Sequence, residues 1–295
     1  VSYTYLKNGN EDKLKQKIVM RYFRFLPLVL IASLVAYLLL ALELCPLEKF
    51  YDITGNTWGL AMIENEFTFG EALEIGLFRC FFERTHLVSP FWCMFYIFLG
   101  SMLSFVMMLL YTKIDNKIFF FGSAIVLFYF VDQNYLAFII GLIAGIIANK
   151  EYSLSKWKGA LLVAVGCVLG LFPPVLLPSF IDIVTLYALG AGFVIVGIHC
   201  CFSNNRLLCN KFAEFLGKES LALIVWQFLI MQSLNIFLYN SFHSAGMSNP
   251  MNIAINFGIN AALSLFLTWV SSKTITPLTN YLCRQMSALL WRKSK

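Results

Sequence analysis

Arg21 and Arg24 sit three residues apart, immediately ahead of a long apolar run that begins near residue 25. On a helix that spacing puts both guanidinium groups on one face. Two planar forks so placed can grip phosphate oxygens through paired hydrogen bonds. The plainer role for such a pair is to anchor the cytoplasmic end of a membrane span. His86 follows Glu83 and Arg84 directly before a second apolar run. An imidazole there could line a site and exchange a proton near neutrality, or be an ordinary loop residue. Ser220 opens a later apolar run after Gly217, Lys218 and Glu219, and Gln227 lies about two turns further in, followed by Gln232 and Asn235. Polar side chains inside a span usually bond a neighbouring helix, and otherwise line a substrate path. His199, near the end of its apolar run, reads as a structural or interfacial histidine. The eight cysteines show no CxxC spacing and no nearby histidine set, so no metal centre is expected. Cys45 and Cys80 fall in the same inter-run segment and could pair, which spacing alone leaves open.

The elements that must hold these residues are membrane helices. The chain is 59% hydrophobic and 13% charged, with a mean hydropathy of +0.75. All but Lys49, Arg79 and Arg84 of its 22 Lys and Arg residues fall in alternate gaps between apolar runs, at 1–24, 112–117, 149–158, 203–218 and 271–295. Positively charged loops stay on the cytoplasmic side. The alternation therefore predicts an all-α, polytopic membrane helical bundle of about eight spans, at 25–44, 91–111, 117–131, 135–148, 159–177, 181–202, 220–239 and 252–272, with the N- and C-termini of this sequence cytoplasmic. The third and fourth runs are short for a crossing of roughly 20 residues, so they are either tilted crossings joined by a tight external turn at Asp132-Gln133-Asn134 or a re-entrant pair. The longest gap, 45–90, is acidic (Glu48, Asp52, Glu64, Glu66, Glu71, Glu74 and Glu83) and is predicted to be external. Helical spacing over 70–82 predicts a short interfacial helix in it. Residues 1–295 read as one membrane domain.

The net charge of +6 does not indicate a nucleic-acid partner, because the basic residues cap apolar runs rather than form one stripe. Gly141 and Gly145 form a GxxxG pair, and Gly190, Gly192 and Gly197 share one run, which predicts close helix packing. Pro173, Pro174 and Pro178 should break the fifth run near its outer end. The chain opens on Val1 and a short apolar piece followed by a charged stretch, which reads as the tail of an earlier segment.

Four stretches together resemble the acyltransferase-3 family, membrane enzymes that move acyl groups, commonly acetyl, onto sugars and surface glycans. RYFRFLP (21–27) is similar to the family's RxxRhxP signature. SPFWCMFYIFLGSML (89–103) is similar to its LWT…YEF.GS segment, YLAFIIGLIAGIIAN (135–149) to its F..G…A helix, and LGKESLALIVWQFLI (216–230) to its lG..Sy..Yl.H motif. The resemblance implies a donor acyl-CoA, with acetyl-CoA the commonest choice, whose phosphates meet Arg21 and Arg24. It implies an acceptor hydroxyl on a glycan or lipid-linked sugar, and a bacterial inner membrane. Trp92, Gly100, Ser101, Gly217 and Ser220 match as structural positions. The family's catalytic histidine falls ahead of residue 1. Its YEF glutamate corresponds to Ile97, and its last histidine to Gln227. Ile97 cannot orient a base or accept a proton, so an inactive relative is one competing reading. A glycan or lipid transporter or flippase is the other, and it would use Gln227, Gln232 and Asn235 as a polar lining.

Overall fold

The computed structural model describes residues 6, 11–57, 67–88, 90–150, 155–177, 182–202 and 209–291. The readings made above for Glu64, Glu66, Ser89 and Pro178, and five of the basic residues counted in the gaps 1–24, 203–218 and 271–295 (Lys7, Arg206, Arg292, Lys293 and Lys295), lie outside the described residues. Among those described, the chain is all helical: α1 (Glu11–Ala41), α2 (Leu47–Thr54), α3 (Phe69–Glu74), α4 (Cys80–Phe82), α5 (Phe91–Tyr111), α6 (Lys117–Val131), α7 (Leu136–Asn149), α8 (Lys156–Gly170), α9 (Ile183–Phe202), α10 (Lys211–Lys218), α11 (Ser220–Ile230), α12 (Ile236–Ser244), α13 (Asn249–Lys273) and α14 (Ile275–Leu290). Two wider π-helical turns, Ile75–Arg79 and Met231–Asn235, join α3 to α4 and α11 to α12.

Each of the eight apolar runs is a helix near its expected position. Among the described residues, five stretches are long and apolar enough to cross a membrane: Glu11–Ala41, Phe91–Tyr111, Ile183–Cys201, Ser220–Ser244 and Asn249–Leu290. The expected number of about eight is not reached on that criterion, because α6, α7 and α8 have only 15, 14 and 15 residues. At 1.5 Å per residue these span about 22 Å. The prolines account for α8: the helix ends at Gly170, and Pro174–Leu176 forms a 3-10 turn instead of the continuation expected to residue 177.

The helices divide into two compact units, residues 1–18 with 96–214, and residues 19–95 with 215–295. In the first unit, Leu14 joins Phe105, Met108, Leu136, Ile139 and Leu142 in a buried apolar core. The turn between α6 and α7 is tight, as expected: Tyr96 donates its hydroxyl to Asp132 Oδ2 at 2.9 Å, and Asp132 Oδ1 accepts from the Asn134 backbone N–H at 3.0 Å. Helices α8 and α9 pack through glycines. A Cβ on Gly166 would stand 2.6 Å from Gly190 O, and one on Gly197 would stand 2.8 Å from Gly159 O. The pairs 166–190 and 159–197 repeat at seven residues on both helices, which is the register of an antiparallel seam with no side chain between the backbones. Nothing lies within 4 Å of a Cβ on Gly141, so half of the expected GxxxG pair faces open space.

In the second unit, α3, its π turn and α4 form a short rod antiparallel to α1. Phe69 meets Tyr37 ring to ring, and Ser33 donates to Ala72 O at 2.5 Å. Gly76 fits against Leu30, and Phe81 meets Tyr22. The short helix expected over 70–82 is this rod, and it runs along α1 because one face is small or apolar throughout (Ala72, Ile75, Gly76, Cys80 and Phe81 are buried) while Phe78 and Phe82 point outward. At the opposite end from Tyr22, α2 packs on α12: Leu47 meets Ile236, and Asn240 Nδ2 donates to Pro46 O at 3.1 Å.

Candidate functional site

Arg21 and Arg24 lie on α1 one turn before Pro27, whose missing N–H leaves the Phe23 carbonyl without its usual helical donor. Arg21 is half-buried and its guanidinium stands 4.4 Å above the Phe25 ring. Arg24 is exposed. Tyr22, between them, donates its hydroxyl to Leu77 O at 2.7 Å, within the Ile75–Arg79 π turn. A π turn leaves carbonyls without their α-helical partners, and this bond supplies a donor for one of them. From the other side, Cys283 on α14 approaches the Met20 carbonyl at 4.0 Å. The arginine turn is thus flanked by the lower end of the α3–α4 rod and by α14. One exposed and one half-shielded guanidinium, held on neighbouring turns, suit a multiply charged anion.

The rod also leads toward His86. Phe81 is at the Tyr22 ring, and the chain continues through exposed Glu83 and Arg84 to buried Thr85, exposed His86, and wholly buried Leu87 and Val88. His86 therefore follows, by five residues, the Phe81 ring that meets Tyr22 between the two arginines.

Ser220 is exposed at the start of α11. Its neighbour Glu219 accepts from Thr276 Oγ1 on α14 at 3.1 Å, which ties this start to the same helix that reaches Met20. The Gln227 side chain is exposed, not turned into the bundle. What Gln227 contributes inward is its backbone carbonyl, which accepts from Asn260 Nδ2 at 3.2 Å.

The most polar buried surface of the second unit lies on α13, which sequence reading passed over. Asn252, Asn256, Asn260, Ser264, Thr268 and Ser271 are all buried. Asn252 Nδ2 donates to Tyr239 O at 3.0 Å, Asn235 Nδ2 to Asn256 O at 3.2 Å, and Trp226 Nε1 to Ser271 Oγ at 2.7 Å. These bonds fasten α13 to α11, its π turn and α12. The signal was present in the sequence as polar residues at every fourth position, 252 to 268, inside an apolar run.

Cys45 and Cys80 are both free thiols, so the pairing left open by their spacing is not made. Burial pushes the Cys45 thiol up to about 11. No protein-family model matches the chain, and no curated protein or solved structure is significantly similar to it.

Proposed function

We propose that this chain is a membrane-bound O-acyltransferase that moves an acyl group, acetyl being the first to test, from cytoplasmic acyl-CoA to a hydroxyl of a cell-surface glycan or lipid-linked sugar. The observation that carries the reading is the arginine turn: a half-buried and an exposed guanidinium side by side at the basic end of α1. In this reading the phosphates of the acyl donor sit on Arg21 and Arg24. In this reading eight crossings keep both ends of the sequence on the donor side, with α6 to α8 tilted or in a thinned bilayer and the 69–82 rod entering beside α1 and returning to the outer side before α5. The acceptor hydroxyl loses its proton to a general base and its oxygen attacks the thioester carbonyl. The C–S bond breaks, and the departing thiolate takes up the proton to give free CoA. The acceptor leaves as its ester.

Labelled acetyl-CoA transfer in membranes carrying the full chain tests this. Charge-assisted bonds are worth about 1.5–3 kcal/mol each. Changing Arg21→Ala and Arg24→Ala together should therefore lower transfer at least about 10-fold at subsaturating donor, with normal membrane insertion. Parental activity in that variant would remove the assignment.

A transporter or flippase for the same kind of substrate is the second reading. It is favoured by the interruptions of long helices at Met231–Asn235 and at Thr274 between α13 and α14, since broken helices at membrane depth often line a substrate path. Uptake of a labelled sugar lipid by proteoliposomes lacking acetyl-CoA would select it.

A further inference from the structure

The buried polar face of α13 runs from Asn252 to Ser271, nineteen helical steps, and so covers about 28 Å. That is close to the roughly 30 Å of a bilayer's hydrocarbon core. Most of its groups satisfy one another or the facing backbone. Ser264 Oγ donates to Asn260 O at 2.6 Å, Thr268 Oγ1 to Ser264 O at 2.6 Å, and Asn256 Nδ2 to Asn252 Oδ1 at 2.8 Å. Asn240 Oδ1 on α12 lacks a donor, and the other exceptions on or facing α13 lie at the Met231–Asn235 turn and Asn256. Asn235 and Asn256 are joined by the bond from Asn235 Nδ2 to the Asn256 carbonyl, yet both of their Oδ1 atoms lack a donor. Three residues before Asn235, in the same π turn, Gln232 is 0% exposed, and neither its Oε1 nor its Nε2 has a partner. A buried amide left bare costs about 1–3 kcal/mol, and in hydrocarbon no solvent makes up the loss. A π turn inserted in a long span at the level of such groups is a recurrent mark of a binding site.

The vacant capacity has a definite character: three carbonyl acceptors, one NH₂ donor and no charge among them. A carboxylate or phosphate would meet acceptors almost everywhere. Hydroxyls are neutral and each gives one hydrogen bond while its oxygen takes one, so a few of them, on water or on one polyol, match. We propose that the Met231–Asn235 turn, with Asn256 opposite, is a binding site for hydroxyl groups within the membrane-spanning part of the second unit, filled by water or by the hydroxyl of an uncharged polyol. Gln232 donates to and accepts from the ligand, and Asn235 and Asn256 accept its protons. The site stands apart from the acyl-transfer proposal and needs no acyl donor.

Solid-state NMR on proteoliposomes of the full chain, with side-chain ¹⁵N-labelled glutamine, tests it. Five glutamines give five amide signals, and the one lost in Gln232→Leu is Gln232. If that variant does not fold, Gln232→Asn, which keeps an amide, makes the assignment by moving one signal. Magnetisation transferred from water should reach the Gln232 amide as fast as it reaches exposed Gln285. In deuterated buffer, transfer from the carbon-bound protons of added glycerol identifies a site open to polyols, whereas transfer from water alone identifies one held by water. A Gln232 amide that receives magnetisation from neither, while Gln285 does, would show a dry seam and overturn the proposal.

Discussion

Arg21 is held in two ways at once: its charge sits over the Phe25 ring, and its neighbour Tyr22 is fixed to the π turn by a 2.7 Å bond. A cation over an aromatic face gains about 0.5–2 kcal/mol, and the planar fork has the shape that binds an anion through paired bonds. Arg21→Lys keeps the charge but loses the fork. It should therefore raise the KM for the acyl donor several-fold with little change at saturation, a split that steady-state kinetics at varied acetyl-CoA would read. A second prediction at this scale concerns Thr68 and Glu71. Glu71 Oε2 accepts from the Thr68 backbone N–H at 2.8 Å, and the Thr68 hydroxyl accepts from the Glu71 N–H at 3.2 Å, forming a capping box at the start of α3. The hydrogen bonds from the Thr68 N–H and hydroxyl hold the Glu71 carboxyl below its ordinary value. The charged form is the one these bonds favour. Their contribution is therefore full above the unfolded carboxylate range and is lost as pH falls through the lowered folded value. Amide protection over Ala72 to Leu77 should drop on acidification in the parent. In Glu71→Ala, which removes the acceptor, it should already be low at neutral pH and change little. Equal acid sensitivity in both would show that the box does not hold the rod.

At the scale of elements, α8 and α9 show what small residues do when they face one another. A Cβ on Gly166 would meet the Gly190 carbonyl at 2.6 Å and the Val194 N at 3.0 Å, both backbone atoms that cannot swing aside. Gly166→Ala must push the helices apart and should cost about 1–3 kcal/mol. Gly141→Ala meets nothing within 4 Å and should gain about 0.5–1 kcal/mol, because a mid-helix glycine gives up more backbone freedom than alanine. Thermal unfolding in detergent of the two variants beside the parent would check the opposite signs. The pair also marks how far sequence carried. Helix positions followed from hydropathy because each run is uninterrupted, and α5 and α6 fall on the expected bounds. Which glycines pack did not follow, since Gly141 and Gly166 look alike until the partner helix is known. The α13 ladder was legible in principle, since its period of four is in the sequence. The π turns were not, because no residue type specifies a one-residue insertion in a helix; it is set by tertiary partners such as Tyr22 at Leu77 and Asn260 at Gln227. The same limit hid the rod: the 70–82 spacing gave its faces, and only Ser33 and Leu30 could say that one of them meets α1.

For the whole molecule the open quantity is the number of crossings, and it turns on α6 and α7. Each is about 22 Å long, short of the hydrocarbon thickness, yet α6 presents Ile118, Phe119, Phe130 and Val131 outward, all strongly exposed, as a lipid-facing helix would. If both cross, Asp115 lies on the cytoplasmic side with Lys113 and Lys117, and Val131, beside the Asp132 turn, lies outside. If they form a re-entrant pair, both positions lie on one side. Single cysteines at Asp12, Asp52, Asp115 and Val131, all exposed, can be placed in a chain whose native cysteines are serine and probed in intact cells with a thiol reagent that cannot cross the membrane. The charge alternation requires labelling at 52 and 131 and none at 12 or 115 until the cells are opened. Protection at 131 in cells that label at 52 would convert α6 and α7 to a re-entrant pair and leave the donor-side assignment of Arg21 and Arg24 intact. Labelling at 12 in intact cells would move the arginine turn to the side that holds no acyl-CoA, and the transferase reading would fail with it.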